Sequence, residues 1–254
     1  MTINTNKKIY FTSDHHFGAP TREKSIPRET LFLEWLKEKE DDMGVLFVLG
    51  DLFDFWFEYK TVVPKGFVRI LGKLAELKDK GIPIYFFVGN HDLWMNDYFQ
   101  TELGIPVFHK PVVFNINGKS FFIGHGDGLG PGDKGYKRMK KVFTNPFSKW
   151  LFRWLHPDIG VRLATYMSVK NKLISGVEDT KFLGEDNEWL VLYAKRKLQT
   201  QHYDYFVFGH RHLPMIINLP NDSKYINLGD WINYYTYGVF DHTFELLEYK
   251  KSST

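Results

Sequence analysis

The architecture of the chain follows from the nine residues Ile84-Tyr85-Phe86-Phe87-Val88-Gly89-Asn90-His91-Asp92. The first five are apolar or aromatic without interruption, which is typical of a strand buried on both faces, as in a parallel sheet covered by helices. Gly89 has no Cβ, so it permits a sharp turn that lets the following polar side chains reach over the sheet edge. The stretch therefore predicts a buried strand that carries chemically active groups at its carboxyl end.

The same arrangement of an apolar run followed by a polar cluster recurs along the chain. The other clusters are Ser13-Asp14-His15-His16, Gly50-Asp51, Gly124-His125-Gly126-Asp127 and Gly209-His210-Arg211-His212. Helical patterns lie between the strands, around residues 31–36, 67–77 and 189–198. Strands that alternate with helices predict an α/β sheet, in which ligands collect outside the carboxyl ends of the strands. We therefore expect all the clusters to converge on one site.

Composition limits the chemistry and the location of the protein. The chain has 254 residues, no cysteine and a formal net charge of +3. The length suits one large domain with a sizeable core, and the charge is too small for a dedicated nucleic-acid binder. Without cysteine, disulfides and thiolate chemistry are excluded, and any metal must be bound by oxygen and nitrogen. No signal peptide or membrane-spanning stretch is seen, so we expect a soluble, cytoplasmic protein.

The polar clusters hold the residue types that a pair of metal ions requires. Two ions close together supply the nucleophile and the charge neutralisation that phosphoester hydrolysis needs. The candidate ligands are carboxylate, amide and imidazole groups: Asp14, His16 and His212 for one ion, Asn90, His125 and His210 for the other, and Asp51 as the bridge. A lone Asp-x-His or Gly-Asp is more often a turn or a helix cap, but the joint pattern favours the metal site. The oxygen and nitrogen ligands favour Mn²⁺, with Fe²⁺ or Zn²⁺ as alternatives.

The ordered motifs Asp-x-His, Gly-Asp, Gly-Asn-His-Asp, Gly-His and Gly-His-x-His resemble those of the calcineurin-like metallophosphoesterase superfamily. The resemblance implies a four-layer α/β/β/α sandwich, two divalent metal ions and the ligand assignments given above. It also implies a catalytic role for His91, either as a general acid or as a cation that stabilises charge. Asp92 is expected to orient the His91 ring.

Further stretches resemble the family of UDP-2,3-diacylglucosamine hydrolases, notably residues 50–56, 125–136 and 228–231. This resemblance implies cleavage of the diphosphate of a lipid-linked UDP-sugar to UMP and 2,3-diacylglucosamine 1-phosphate in lipid A biosynthesis. The best-known members carry arginine where this chain has His91. Two alternatives stay open: a soluble phosphodiesterase or phosphatase acting on nucleotides or small phosphate esters, and a non-catalytic scaffold that retains the fold.

Residues from about 133 to 186 interrupt the alternation of strands and helices, and they predict a helical cap inserted into a single domain that spans 1–254. By resemblance to the family, the cap implies these substrate-binding residues: Asp133, Tyr136, Lys170, Asn171 and Lys172. Taken with this resemblance, its interleaved aromatic and basic residues favour a face that lies against an anionic membrane, with the protein peripheral on the inner face of the cytoplasmic membrane. The alternative is an ordinary helical hairpin packed on the core.

Five histidines lack a motif role, and each is predicted to be a surface or structural residue: His15, His109, His156, His202 and His242.

Overall fold

Two mixed β-sheets form the centre of the molecule in a computed structural model that describes residues 1–130, 134–163, 166 and 181–250. The strands are β1 Thr2–Ile3, β2 Lys8–Thr12, β3 Met43–Leu49, β4 Ile84–Phe87, β5 Val107–Phe108, β6 Val112–Ile116, β7 Lys119–Ile123, β8 Tyr205–Phe208, β9 Met215–Asn218, β10 Lys224–Asn227, β11 Thr236–Asp241 and β12 Thr243–Glu248. The helices are α1 Arg22–Lys39, α2 Val68–Asp79, α3 Tyr98–Thr101, α4 Lys134–Thr144, α5 Pro146–Arg153 and α6 Trp189–Leu198.

Each sheet has six strands, in the orders β12-β11-β2-β3-β4-β5 and β1-β6-β7-β8-β10-β9. In the first sheet β2, β3, β4 and β5 are parallel, and in the second β7, β8 and β10 are parallel. The carboxyl ends of parallel neighbours lie at the same sheet edge. The polar clusters that follow β2, β3 and β4 in one sheet, and β7 and β8 in the other, are therefore neighbours within each sheet.

Aromatic side chains fill the space between the two sheets. Phe11 and Phe47 of the first sheet stack with ring centroids 4.9 Å apart, and Phe47 meets Phe114 of the second sheet at 5.0 Å. Both faces of these strands are buried because helices cover the outer sides. Helices α1 and α2 pack on the first sheet, and α6 packs on the second through buried residues such as Leu190. The predicted four-layer α/β/β/α sandwich is thereby confirmed.

Helix α1 begins earlier than the sequence pattern indicated. The apolar spacing indicated a helix around residues 31–36, whereas the helix begins at Arg22 and Pro27 lies inside it. Thr21 is the N-cap, and its side chain accepts a hydrogen bond from the amide of Lys24. Capping at Thr21 therefore places the start of the helix nine residues before Leu31, about two and a half turns earlier.

Most of the described part of the expected cap is helical, although residues 181–186 are not. Besides α4 and α5, residues 157–163 are helical. The boundaries at about 133 and 186 stay a prediction. Within the described ranges, no helix has both the length and the apolar character needed to cross a membrane.

Candidate metal centre

The main chain adopts an unusual conformation at most of the candidate metal ligands. Five of them have φ angles in the left-handed region: Asp14 at 54°, His16 at 46°, Asp51 at 52°, His210 at 70° and His212 at 49°. Residues other than glycine seldom adopt this conformation, which costs on the order of 1 kcal/mol or more and persists only where surrounding contacts impose it. Such strain concentrates at functional sites, so its position here marks the strand ends as the functional edge.

Hydrogen bonds and close backbone approaches impose these turns. The amide of His16 donates to the carbonyl of Asp51 at 2.9 Å, which joins the loops after β2 and β3. Gly89 and Gly209 pass so close to the carboxylates of Asp51 and Asp14 that a Cβ atom on either glycine would collide with them. The glycines that precede the polar residues therefore serve close packing between loops as well as the turn itself.

Asp14, His16 and His212 form the first group, with one ligand atom of each lying within 4.8 Å of the others. The Nε2 atoms of the two rings are 3.3 Å apart, and Asp14 Oδ1 is 3.5 Å from His212 Nε2. Nδ1 of His16 faces Asp54 Oδ1 at 3.3 Å, and Nδ1 of His212 faces Asp230 Oδ2 at 3.2 Å. Because a carboxylate only accepts, each Nδ1 carries the proton and each Nε2 presents a lone pair to the centre of the group.

Asp51 lies between this group and the next. Its Oδ2 atom is 3.5 Å from His16 Nε2 and 3.4 Å from His125 Nε2. The other carboxylate oxygen accepts a hydrogen bond from the amide of His91 at 2.8 Å, which fixes the orientation of the carboxylate. A single oxygen that faces both imidazoles is the arrangement a bridging ligand requires.

His125, His210 and Asp51 form the second group, again within 4.8 Å of one another. Asn90 joins them through Oδ1, which is 3.1 Å from His125 Nε2. Nδ1 of His125 donates to the main-chain carbonyl of Leu49 at 2.7 Å, so its Nε2 also points inward. Although burial opposes the charged form, the Asp51 carboxylate raises the pKa of His125 to about 10, whereas burial and the charge of His125 lower the pKa of His210 to about 3. The Asp51 carboxylate thus favours positive charge at this position, which a bound cation would supply.

The donor atoms fit divalent metal ions. Asp14 Oδ1 is buried and has no hydrogen-bond partner, and burial raises the pKa of this carboxyl. Imidazole lone pairs, an unpartnered carboxylate oxygen and an amide oxygen converge here, and cations compensate such buried groups best. With no sulfur among them, the donors suit ions that accept oxygen and nitrogen ligands.

His91 lies beside the first group with its ring edge against His16, at a centroid distance of 4.5 Å. Its Nδ1 lies 2.9 Å from the main-chain carbonyl of Asp54 and 3.5 Å from the carboxylate of the same residue. The carbonyl accepts, so Nδ1 carries a proton. His91 is thereby held at the rim of the candidate metal centre.

Asp92 differs from expectation. It was expected to orient the His91 ring, but its carboxylate oxygens accept hydrogen bonds from the main-chain amides of Leu52 at 3.1 Å and Gly89 at 2.5 Å. Burial and the charge of Asp51 raise its pKa to about 8. The physical reason is the turn at Asn90, which directs residue 92 into the protein. Asp92 therefore braces the loops, and Asp54 holds the His91 ring.

Among the expected substrate-binding residues, Tyr136 is described. It lies on α4, its ring is 6.4 Å from that of His210, and its hydroxyl donates to Asp127 Oδ2. The others, Asp133, Lys170, Asn171 and Lys172, fall outside the described residues.

The sequence interpretation missed the carboxylates that hold the imidazoles, Asp54 and Asp230. Asp54 follows Asp51 by three residues, and Asp230 follows β10, so proximity to a strand end was the available signal. The histidines without a motif role behave largely as predicted, because His109, His156, His202 and His242 are exposed. His15 is buried and structural, with Nε2 at 2.9 Å from the Thr12 hydroxyl.

Comparison with known proteins assigns this site to a class. Residues 7–214 match the family described as calcineurin-like phosphoesterase. The chain therefore belongs to this family, and it is a metal-dependent phosphoester hydrolase.

Individual relatives identify a narrower family within this class. The chain is 39% identical to a UDP-2,3-diacylglucosamine hydrolase of Porphyromonas gingivalis, over 95% of this chain and 97% of the relative. It is 27% identical to the protein of that name from Histophilus somni, over 89% and 92%, and 29% identical to that from Shewanella sp. strain W3-18-1, over 88% and 89%. Within the calcineurin-like phosphoesterases, the chain belongs with the UDP-2,3-diacylglucosamine hydrolases.

Proposed function

We propose that the chain hydrolyses the diphosphate of UDP-2,3-diacylglucosamine, giving UMP and 2,3-diacylglucosamine 1-phosphate in lipid A biosynthesis. The observation that carries the chemistry is the position of Asp51 Oδ2, at 3.5 Å from His16 Nε2 and 3.4 Å from His125 Nε2. The substrate is supported by the 39% identity to the Porphyromonas gingivalis relative over 97% of its length.

Divalent ions held by these residues would supply a water molecule of lowered pKa as the nucleophile and would neutralise the charge of the phosphates. The side chains of the protein would bind these ions and act on the departing phosphate. Asp14, Asp51 and Asn90 would supply oxygen ligands. His16, His125 and His212 would supply Nε2 lone pairs directed by their Nδ1 partners, and His210 would supply a ring nitrogen. His91, held by Asp54, stabilises negative charge on the departing phosphate or gives it a proton.

Mn²⁺ is the ion we propose, with Fe²⁺ and Zn²⁺ as the alternatives. The support is the donor set of carboxylate, amide and imidazole without sulfur, which suits these ions. Metal analysis of the protein as isolated, followed by reconstitution of the chelator-treated protein with each ion, tests the assignment. Full recovery of turnover with Zn²⁺ and none with Mn²⁺ would reject it.

The cap is proposed to contact an anionic membrane on its cytoplasmic side, where a diacylated substrate resides. Large apolar side chains on α5 and just after it are exposed, including Phe147 at 66% and Trp154 at 74%. Arg153 stands beside them, and such a mixture of aromatic and basic groups suits a lipid surface. Trp154→Ser should lower the fraction of the protein that sediments with vesicles containing anionic phospholipid.

Val68→Ser is the matched control, since Val68 is 76% exposed on α2, outside the cap. Equal binding of both variants and the unaltered protein would argue for the alternative, an ordinary hairpin.

The decisive experiment measures release of UMP from UDP-2,3-diacylglucosamine by the unaltered protein and by Asp51→Asn. The variant removes the bridging charge and should lower turnover by about 10³-fold. Asp79→Asn, the same change at the exposed end of α2, should leave turnover unaltered.

A UDP-sugar without acyl chains should be a much poorer substrate. Equal turnover of the deacylated compound would contradict a lipid-linked substrate, and undiminished turnover in Asp51→Asn would contradict the two-metal mechanism.

A further inference from the structure

Helix α4 is attached to two of the loops that carry candidate metal ligands. Tyr136 and Lys140 of this helix both donate to Asp127 Oδ2 at 2.5 Å, and Asp127 follows the candidate ligand His125 by two residues. At the carboxyl end of the helix, the carbonyl of Phe143 accepts a hydrogen bond from Trp94 Nε1 at 2.6 Å. Trp94 follows His91 by three residues. The helix thus spans from the second metal-ligand group to the His91 loop.

The carboxylate that helix α4 contacts, that of Asp127, is buried although the helix itself is exposed. Asp127 is only 7% exposed, whereas α4 is largely accessible to solvent. Tyr136 and Lys140 lie four residues apart on one face of the helix, so one carboxylate oxygen can receive both donors. Both bonds end on a carboxylate and are of the stronger, charge-assisted kind, and the bond from Lys140 also joins opposite charges. Because both donors meet a single buried oxygen, Asp127 fixes the position of helix α4 and its rotation about its own axis relative to the loop after β7.

Asp127 also orients the side chain of Tyr136, which lies beside the candidate metal ligand His210. The Tyr136 ring lies 6.4 Å from that of His210, and its hydroxyl direction is set by Asp127. The Lys140 ammonium group also lies over the Tyr136 ring, 6.0 Å from its centroid. Asp127 thus contacts the Tyr136 side chain directly and also holds the lysine that lies over its ring.

We propose that Asp127 is a positioning residue, which holds α4 and the Tyr136 side chain over the metal centre and so sets the affinity for the part of the substrate beneath the cap. The residue acts through Tyr136 and does not touch the reacting atoms. The proposal rests on the proposed function for the identity of the substrate.

The test compares Asp127→Asn, Tyr136→Phe and the double variant, with UDP-2,3-diacylglucosamine as substrate and Mn²⁺ present. Loss of a charge-assisted hydrogen bond should raise KM about 10-fold in Asp127→Asn, with kcat within about twofold of the unaltered protein. The KM of the double variant should be no higher than that of Asp127→Asn, because the Tyr136 hydroxyl acts through the same carboxylate. Asp158→Asn is the control, since this cap carboxylate is 86% exposed.

Additive effects of the two changes, a fall in kcat with unaltered KM, or an equal effect of Asp158→Asn would overturn the proposal. Lys140→Gln provides a second variant that keeps Asp127 intact, and it should raise KM by about threefold. No rise in KM with this variant would also count against the positioning role.

Amide hydrogen exchange separates this proposal from the proposed function. In Asp127→Asn, exchange should quicken along residues 134–144 and stay unaltered in β7, because the helix loses its attachment while the sheet does not. Unaltered exchange in α4 would overturn the positioning role whatever the substrate is. Failure of the unaltered protein to release UMP would overturn the proposed function alone.

Discussion

The Nε2 atoms of His16 and His212 lie 3.3 Å apart, although Nδ1 of each ring already faces a carboxylate. Two lone pairs therefore oppose each other in a buried space, an arrangement that a bound cation relieves. Removing metal with a chelator should lower the unfolding temperature. An ion present at 100 times its dissociation constant stabilises by about 2.7 kcal/mol, which corresponds to roughly 5 to 10 °C for a chain of this size.

Thermal unfolding followed by circular dichroism, with chelator or with added Mn²⁺, measures this shift. The variant His212→Ala lacks one of the paired rings and should respond less to Mn²⁺. An unfolding temperature that is the same with and without metal would contradict a cation at this position.

Asp230→Asn should weaken metal binding. The Asp230 carboxylate faces His212 Nδ1 at 3.2 Å, and its other oxygen accepts amide hydrogen bonds from Ile232, Asn233 and Tyr234. Such a carboxylate orients the imidazole and raises its basicity, and its loss reduces metal affinity by about 10 to 100-fold. Isothermal titration of the metal-depleted protein with Mn²⁺ measures the change. Asp222→Asn, at an exposed turn, should bind as the unaltered protein does, and equal binding by both variants would refute the role of Asp230.

Sequence patterns predicted the strands best where apolar residues run without interruption. The run that became β3 has all but one of its residues buried, and β8 is buried throughout, so burial on both faces left a clear pattern. Strands β5 and β9 were not predicted, because β5 has two residues and β9 alternates buried with accessible positions next to a proline. Short edge strands form through their neighbours, and their own residues give little indication of them.

The candidate ligands were predicted because each follows a strand of high apolar content. The carboxylates behind them were not, since the pairing of Asp230 with His212 depends on how the loop after β10 turns. For Asp92 the prediction failed in the opposite way. Its position next to His91 in the sequence suggested a contact between the two side chains, but the Asp92 carboxylate accepts hydrogen bonds from the amides of Leu52 and Gly89 instead. Sequence proximity alone does not reveal side-chain direction in a turn.

His91 should distinguish substrates by their leaving groups. A diphosphate departs as a phosphate ester of low pKa and has little need of a proton donor, whereas an alkyl phosphodiester needs one. His91→Arg should therefore retain diphosphate turnover within about 10-fold but lose about 10² to 10⁴-fold on an alkyl phosphodiester, since arginine supplies charge without a transferable proton. The ratio of kcat/KM for the two substrates measures the effect. Retention of turnover within about 10-fold on both substrates would show instead that His91 acts by charge alone.

His15 should make the protein less stable in mild acid. Burial, and then the charge of Arg28, hold the pKa of His15 well below its ordinary value of 6.5. Below pH 6.5 the unfolded chain binds a proton at this position that the folded chain does not bind. The free energy of unfolding therefore falls with falling pH in that range, by up to about 1.4 kcal/mol per pH unit for one such group.

His15→Gln removes the titrating group and keeps a partner for the Thr12 hydroxyl. It should be less stable than the unaltered protein at pH 8, because the ring also packs against Phe32 at 4.4 Å. Between pH 6.5 and 5, however, its free energy of unfolding should fall less steeply with falling pH than that of the unaltered protein. The reason is that the variant takes up about one proton fewer on unfolding. Urea unfolding of metal-depleted protein at several pH values measures both slopes, with the 95% exposed side chain of His242 replaced in the control His242→Gln. A variant slope as steep as that of the control would mean that His15 takes up its proton in the folded state, which its burial among aromatic rings opposes.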